Sequence, residues 1–134
     1  MPKEYINPPT LFQSQQFGFS QIVTSSGGKT VYISGQTAWD AQQHVGEEHD
    51  LASQTLGALR NLEIAVQAAG GKIEDVVSLR IYIVGQWIHN SRGVREGLLA
   101  FFPEDKLPTS TWIGVPALAS PDFLIEIEAI AVIE

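Results

Sequence analysis

The sequence predicts an α+β domain with helices on one face of a sheet, and three observations lead there. Short β-branched runs occur toward both ends of the chain, and two internal segments switch to the three-and-four spacing of helices. The resulting order is strand, strand, helix, strand, helix, strand, strand. Strands interleaved with only two helices build an α+β sheet rather than a helix-wrapped parallel one. With 44% hydrophobic and 17% charged residues the chain can fill one core, and no linker interrupts it, so residues 1–134 are expected to form a single domain.

Each element has its own signal. Residues 1–18 are rich in Pro, Gln, Asn and Ser and read as an irregular lead-in turning around Pro8–Pro9. Gln21–Thr24 and Thr30–Ser34 flank Ser26-Gly27-Gly28, the pattern of a hairpin. Ala38–Asp50 is polar, holds Gly46 and reads as a loop. Leu51, Thr55, Ala58, Leu59, Leu62, Ala65, Val66 and Ala69 then mark one helical face, with Asp50 as N-cap and Gly70-Gly71 as the stop.

Val76–Val84 alternates Val77, Leu79, Ile81 and Ile83 with Ser78, Arg80 and Tyr82, a strand. A second helix is predicted over Trp87–Phe102, burying Trp87, Val94, Leu98 and Phe101 and ending at Pro103. Gly93 and Gly97 each cost about 1 kcal/mol in a helix interior relative to Ala. Their spacing marks either a weak helix or, the favoured reading, close approach to a neighbouring backbone. Thr109–Val115 and Phe123–Ile133 are the last strands, around the Pro116–Pro121 turn region. The final strand is apolar on both sides: Leu124, Ile130 and Val132 on one, Ile125, Ile127, Ala129 and Ala131 on the other. Its second face is therefore expected to be buried against other subunits.

Composition removes several functions. There is no cysteine, so disulfides, thiolate metal sites and cysteine nucleophiles are excluded. No apolar run approaches the roughly 20 residues that span a bilayer, and residues 1–9 show no secretory pattern, so no membrane partner and a cytoplasmic location are expected. Net charge is −7 and the eight Lys and Arg are scattered, which offers no cationic stripe for nucleic acid. His44-Val45-Gly46-Glu47-Glu48-His49 lacks the spacing of metal ligands and reads as a solvated loop, so no metal and no cofactor are expected. Arg80, mid-strand, is expected to pair with Glu128 across the sheet.

Several stretches, in order and over nearly the whole chain, resemble the YjgF/RidA family, also called L-PSP endoribonucleases. They are Asn7-Pro8-Pro9, Gly18-Phe19-Ser20-Gln21, Ile33-Ser34-Gly35-Gln36, Gln54-Thr55 with Ala58-Leu59-Arg60-Asn61-Leu62, Ala68-Ala69-Gly70 with Asp75-Val76-Val77, and Ile125-Glu126-Ile127-Glu128-Ala129-Ile130-Ala131-Val132. The resemblance implies a bacterial chorismate mutase-like fold, a twisted mixed sheet with two helices on one face. It also implies a homotrimer whose sheets form a central barrel, with small-molecule clefts between subunits.

The family's deaminases hydrolyse 2-imino acids and their enamine tautomers to 2-keto acids and ammonia. The resemblance places their carboxylate-gripping arginine, which follows Pro-Ala, at Ser110 within Pro108-Thr109-Ser110-Thr111-Trp112. A hydroxyl donates one neutral hydrogen bond where a guanidinium offers a bidentate charged pair. The family's cleft tyrosine aligns with Phe19, and a position that is often cysteine aligns with Trp112. Ser34 and Gly35 match the Ser-Gly-Gln motif, and Glu126 matches the glutamate that orients water. A helix position that is often asparagine is Arg95 here, with Arg92 one turn before it.

Glu126 and Ser34 are thus the candidate catalytic residues; Phe19, Gly35, Arg95, Ser110 and Trp112 are the candidate ligand-binding residues. The expected function is imine or enamine hydrolysis with altered specificity. A non-catalytic trimeric ligand-binding or regulatory protein is the alternative, and an endoribonuclease is disfavoured by charge. Chorismate mutase activity would require several cations for a dianionic substrate, which the chain does not gather.

Overall fold

The computed structural model describes residues 3–46 and 49–134. In chain order the elements are β1 (Glu4–Ile6), β2 (Ile22–Thr24), β3 (Lys29–Gln36), α1 (Leu51–Ala68), β4 (Val76–Val84), α2 (Arg92–Phe101), β5 (Thr109–Val115) and β6 (Ile125–Ile133). Short 3-10 turns occupy Ser14–Phe17, Ile73–Asp75 and Gly85–Asn90. Four strands form a mixed sheet in the spatial order β3-β6-β4-β5. β6 runs antiparallel to both β3 and β4, while β4 and β5 are parallel and joined through α2.

Four sequence expectations need correction. The predicted hairpin does not form: β2 pairs with β1, and β3 pairs with β6. The turn at Ser26-Gly27-Gly28 is real, with both glycines at positive φ, but β6 offers β3 a longer ladder than three-residue β2 does. The lead-in is less irregular than expected, holding β1 and the Ser14–Phe17 turn. The second helix is shorter, because Gly85–Asn90 forms a 3-10 turn and the α-helix begins only at Arg92. The last strand starts at Ile125 rather than Phe123.

The first helix follows its sequence signals. Asp50 Oδ1 accepts the Ser53 amide at 2.8 Å, satisfying one of the donors a helix start leaves free. Gly70 takes φ +96° just past the last turn. Leu51, Ala58, Leu59, Leu62 and Val66 face the core with Leu79, Ile81 and Ile83 of β4 and Ile125, Ile127 and Ala131 of β6. Val94 and Leu98 of α2 join the same core. Burying one such side chain is worth about 1.5–3 kcal/mol, so this face holds the domain together.

Gly93 and Gly97 are explained by proximity. A Cβ on Gly93 would lie 2.8 Å from the Ala52 Cβ, and one on Gly97 would lie 2.9 Å from the Thr55 Cγ2. The helices cross too closely there for any side chain, which outweighs the propensity cost of glycine.

Two bulges shift side chains between faces. Val76 pairs with Ala131 and Ser78 with Ile130, leaving Val77 as the extra residue; Val76, not Val77, is therefore fully buried. Likewise Ile33 pairs with Ala129 and Gln36 with Ile127, so Ser34 and Gly35 together oppose Glu128. The face away from the helices carries Tyr32, Arg80, Tyr82, Glu126, Glu128 and Ile130, and the chain's own helices leave it open. Tyr32 is 79% exposed and Ile130 36%. Among the described residues no helix is long and apolar enough to cross a membrane.

Candidate functional site

The predicted site residues fall into two groups. Gly35 and Glu126 meet on the open face of the sheet, and Ser34 stands exposed beside Gly35 in the bulge. The bulge at Ser34-Gly35 turns Gly35 toward Glu126: a Cβ built there would fall on Glu126 Oε2, 2.7 Å from its Cδ and 2.8 Å from its Cγ. Glycine at this position is thus a steric requirement of the carboxylate's position. Glu126 is half-buried and lies opposite Tyr82.

Beside it runs a polar chain. The Tyr82 hydroxyl donates to Glu128 Oε1 at 2.7 Å, and Arg80 Nη1 lies 3.9 Å from the same oxygen. The hydrogen bond to Glu128 raises the Tyr82 phenol above its ordinary value, with desolvation acting in the same direction. Arg80 is therefore a pairing residue, as the sequence led one to expect, and it stands on an exposed face.

Phe19, Ser110 and Trp112 form the second group, at the β5 edge. Parallel pairing sets Ser110 beside Leu79 and Trp112 beside Ile81, so both point to the helix-covered side. The Trp112 Nε1–H donates to Ser110 Oγ at 2.6 Å. The Phe19 and Trp112 rings lie 6.3 Å apart, tilted by 55°. Segment 18–20 is brought there by the Ser20 amide, which donates to the Pro108 carbonyl at 2.9 Å. Gly18, at φ +94°, packs so tightly on α2 that a Cβ would lie 2.7 Å from the Leu98 Cβ.

Two residues here had no sequence assignment. Phe12 lies 6.1 Å from Phe19 and 6.3 Å from Phe17, ring centre to ring centre. The Arg95 guanidinium stands over Phe17, 5.4 Å from its centroid. A row of rings thus runs from Trp112 through Phe19 and Phe12 to Phe17, with Arg95 at its far end. The phenylalanines at 12, 17 and 19 were the available signal, but they have neither strand nor helix spacing.

The two groups face opposite sides of one sheet. Three concavities, of about 620, 570 and 570 Å³, are lined by His44, His49, Gln54 and Asp122, by Lys3, Tyr5, Lys72 and Glu134, and by Gln13, Gln15, Leu99 and Phe102, and contain none of the predicted site residues. Other family-like residues have structural work. Gln54 bonds the Asp122 carbonyl and the Leu124 amide, both at 2.8 Å, and Asn61 holds the carbonyls of Thr37 and Trp39. Asn7 accepts the Gln21 amide at 2.8 Å. His44 Nδ1 lies 3.8 Å from Asp40 Oδ2, while Glu47 and Glu48 lie outside the described residues. Among the described residues, no three His, Cys, Asp or Glu converge to hold a metal ion.

The sequence model of the family Endoribonuclease L-PSP matches residues 14–133. The chain belongs to that family. Solved structures agree: YyfB of the conserved Rid protein family from Yersinia pestis, of unknown function, is 39% identical with a TM-score of 0.92 over 99% of this chain and 100% of that one. Rv2704 from Mycobacterium tuberculosis, described as a member of the highly conserved YjgF/YER057c/UK114 family, is 32% identical over 98% and 100%, with a TM-score of 0.66. Escherichia coli TdcF, solved with bound serine, is 27% identical over 89% and 95%, with a TM-score of 0.68. The mixed sheet with two main helices is this family's fold.

Proposed function

We propose that this protein hydrolyses imines or enamines in a cleft formed between copies of the chain, with selection against short 2-imino acids. The observation that carries this reading is the fit of Gly35 against Glu126, which leaves the Glu126 carboxylate room that any side chain at position 35 would take. The two half-sites lie on opposite sides of the sheet, so a second copy is needed to bring Phe19, Ser110 and Trp112 of one chain to Ser34, Gly35 and Glu126 of another. A homotrimer with the open faces lining a central barrel meets that need. It would also cover Tyr32 and Ile130, which the chain by itself exposes to water.

The chemistry follows from the residues. The reaction is R₂C=NH + H₂O → R₂C=O + NH₃. Glu126 orients water and accepts its proton as the oxygen attacks the imine carbon, while the imine nitrogen takes a proton from solvent, giving a carbinolamine. Glu126 then passes its proton to that nitrogen, the carbinolamine hydroxyl gives its own proton back to solvent, the C–N bond breaks, and the carbonyl and ammonia leave. Ser34 supplies a hydroxyl on the bulge, next to the Gly35 that meets this carboxylate. Ser110 Oγ accepts from Trp112, which leaves it one O–H to donate and one lone pair to accept, suited to a neutral oxygen or nitrogen. It offers no charge to a carboxylate attached directly to the reacting carbon.

Carbonyl release from imines generated in situ by an amine or amino-acid oxidase tests the reading. Acceleration over the spontaneous rate is expected, falling about 10²-fold or more in Glu126→Gln. 2-Aminoacrylate from a dehydratase should be a poor substrate. If no imine is hydrolysed faster than in buffer, the alternative stands: a ligand-binding protein that lost catalysis, which the Trp112–Ser110 contact at the family's arginine position also supports. The ribonuclease activity in the family's name is disfavoured by the net charge of −7.

A further inference from the structure

The position of Arg95 calls for a partner that the chain does not supply. Its guanidinium is stacked over Phe17 and half-buried, yet among the described residues no carboxylate lies within ion-pair distance of it. Lys3, Arg80 and Lys106 have carboxylate partners at 3.2–3.9 Å. Of the basic side chains without one among the described residues, Lys29, Arg60, Lys72 and Arg92 are exposed, whereas Arg95 is half-buried. Arg92 and Arg95 both stand near the start of α2, where the helix dipole disfavours a cation and no acidic residue in the first turn compensates. Of the two, only Arg95 is stacked on a ring and half-buried. Residues that break a local rule without compensation mark functional positions.

The site around it is rigid. Gly18 is wedged against the Arg95 carbonyl and Leu98, and the Ser14 hydroxyl donates to the Phe19 carbonyl at 2.8 Å. These contacts fix Phe17, under the guanidinium, in one frame with Phe19. Stacking occupies one flat side of a guanidinium and leaves its N–H edge to a planar anion. Ser110 and Trp112 lie at the opposite end of the ring row.

We propose that Arg95 is a displaced anion anchor, so that this cleft takes a ligand whose carboxylate is separated from its reacting carbon by a planar or apolar body. The rings of Phe12 and Phe19 would lie along that body. This deepens the hydrolase reading and rests on it for the reacting carbon; the anchor itself is independent of turnover.

Equilibrium binding tests it, by calorimetry on the full chain. The probes are 4-acetylbenzoate, its uncharged isostere 4-acetylbenzamide, and pyruvate, whose carboxylate adjoins the carbonyl. The wild-type protein should bind 4-acetylbenzoate at least 10-fold more tightly than either comparison compound, and less tightly as salt rises. Arg95→Gln should erase the preference over the amide, Arg95→Lys should keep part of it, and Arg92→Gln, altering an exposed arginine of the same helix, should keep it all. Near-UV circular dichroism checks that each variant is folded. Equal wild-type affinity for acid and amide, no binding of any probe, a preference that survives Arg95→Gln, or an equal loss in Arg92→Gln would each overturn the proposal. Binding preference without imine turnover would instead reject only the hydrolase.

Discussion

Gly35→Ala is the sharpest test of how the fold places Glu126. The added methyl carbon would lie 2.7 Å from Glu126 Cδ and 2.8 Å from Cγ. Carbon atoms settle at about 3.5–4.0 Å, so the carboxylate must retreat by about 1 Å. Gly35 is not among the positive-φ glycines, so alanine suits its backbone. A forced rotamer costs about 0.5–1.5 kcal/mol, and relief of a strand glycine returns about 0.5–1 kcal/mol. The net change in stability should stay below about 1 kcal/mol. A 1 Å misplacement of a reacting group costs about 100-fold in rate, so kcat/KM for the imine best hydrolysed by the wild type should fall by about that factor. Urea denaturation and steady-state kinetics on the same preparations separate the two effects. Because both changes act through one carboxylate, Gly35→Ala and Glu126→Gln should combine far less than additively. Undiminished turnover in Gly35→Ala would refute the reasoning, and so would full additivity.

Other consequences follow from the same contacts. Gly97→Ala places a methyl 2.9 Å from Thr55 Cγ2 and 3.3 Å from Leu59 Cδ1. Overpacking of about 1–3 kcal/mol against a helix gain of about 1 kcal/mol leaves a net loss of about 1 kcal/mol, read as a melting temperature lower by about 4 °C. A stabilised variant would contradict the close helix crossing. Tyr82 should titrate above its ordinary value, because the neutral phenol donates to Glu128. A folded-state value above the unfolded one means this stabilisation is complete below about pH 10 and disappears as pH rises through the folded value. Ultraviolet difference titration should show the shift in the wild type and its reduction in Glu128→Gln.

Much of this architecture was legible because its signals are local. The period of α1, its cap at Asp50 and its stop at Gly70 depend on neighbours within one or two turns, and all three hold. Gly93 and Gly97 announced a close approach without saying to what; Ala52 and Thr55 are the answer. For the site, the Ser34-Gly35 motif and Glu126 were readable as residue types, and so was a serine at position 110, where the resemblance implies a guanidinium. The ring row was missed because Phe12, Phe17 and Phe19 sit in a lead-in with no period, held by single contacts such as Ser20 to Pro108.

The amino-acid order alone determined the first helix and the central strands, though not β1 or the 3-10 turn at Gly85–Asn90, and it determined which chemical groups are present and which are missing. Tertiary structure alone decided which strands pair, that a bulge aims Gly35 at Glu126, that Ser110 receives the Trp112 N–H, and that Arg95 rests on Phe17. The division has a physical cause. Periodicity and capping are energies of adjacent residues, whereas pairing and stacking are set by competition among surfaces far apart in the chain. A two-glycine turn could therefore mark a reversal and still lose β3 to β6, the strand with the longer ladder.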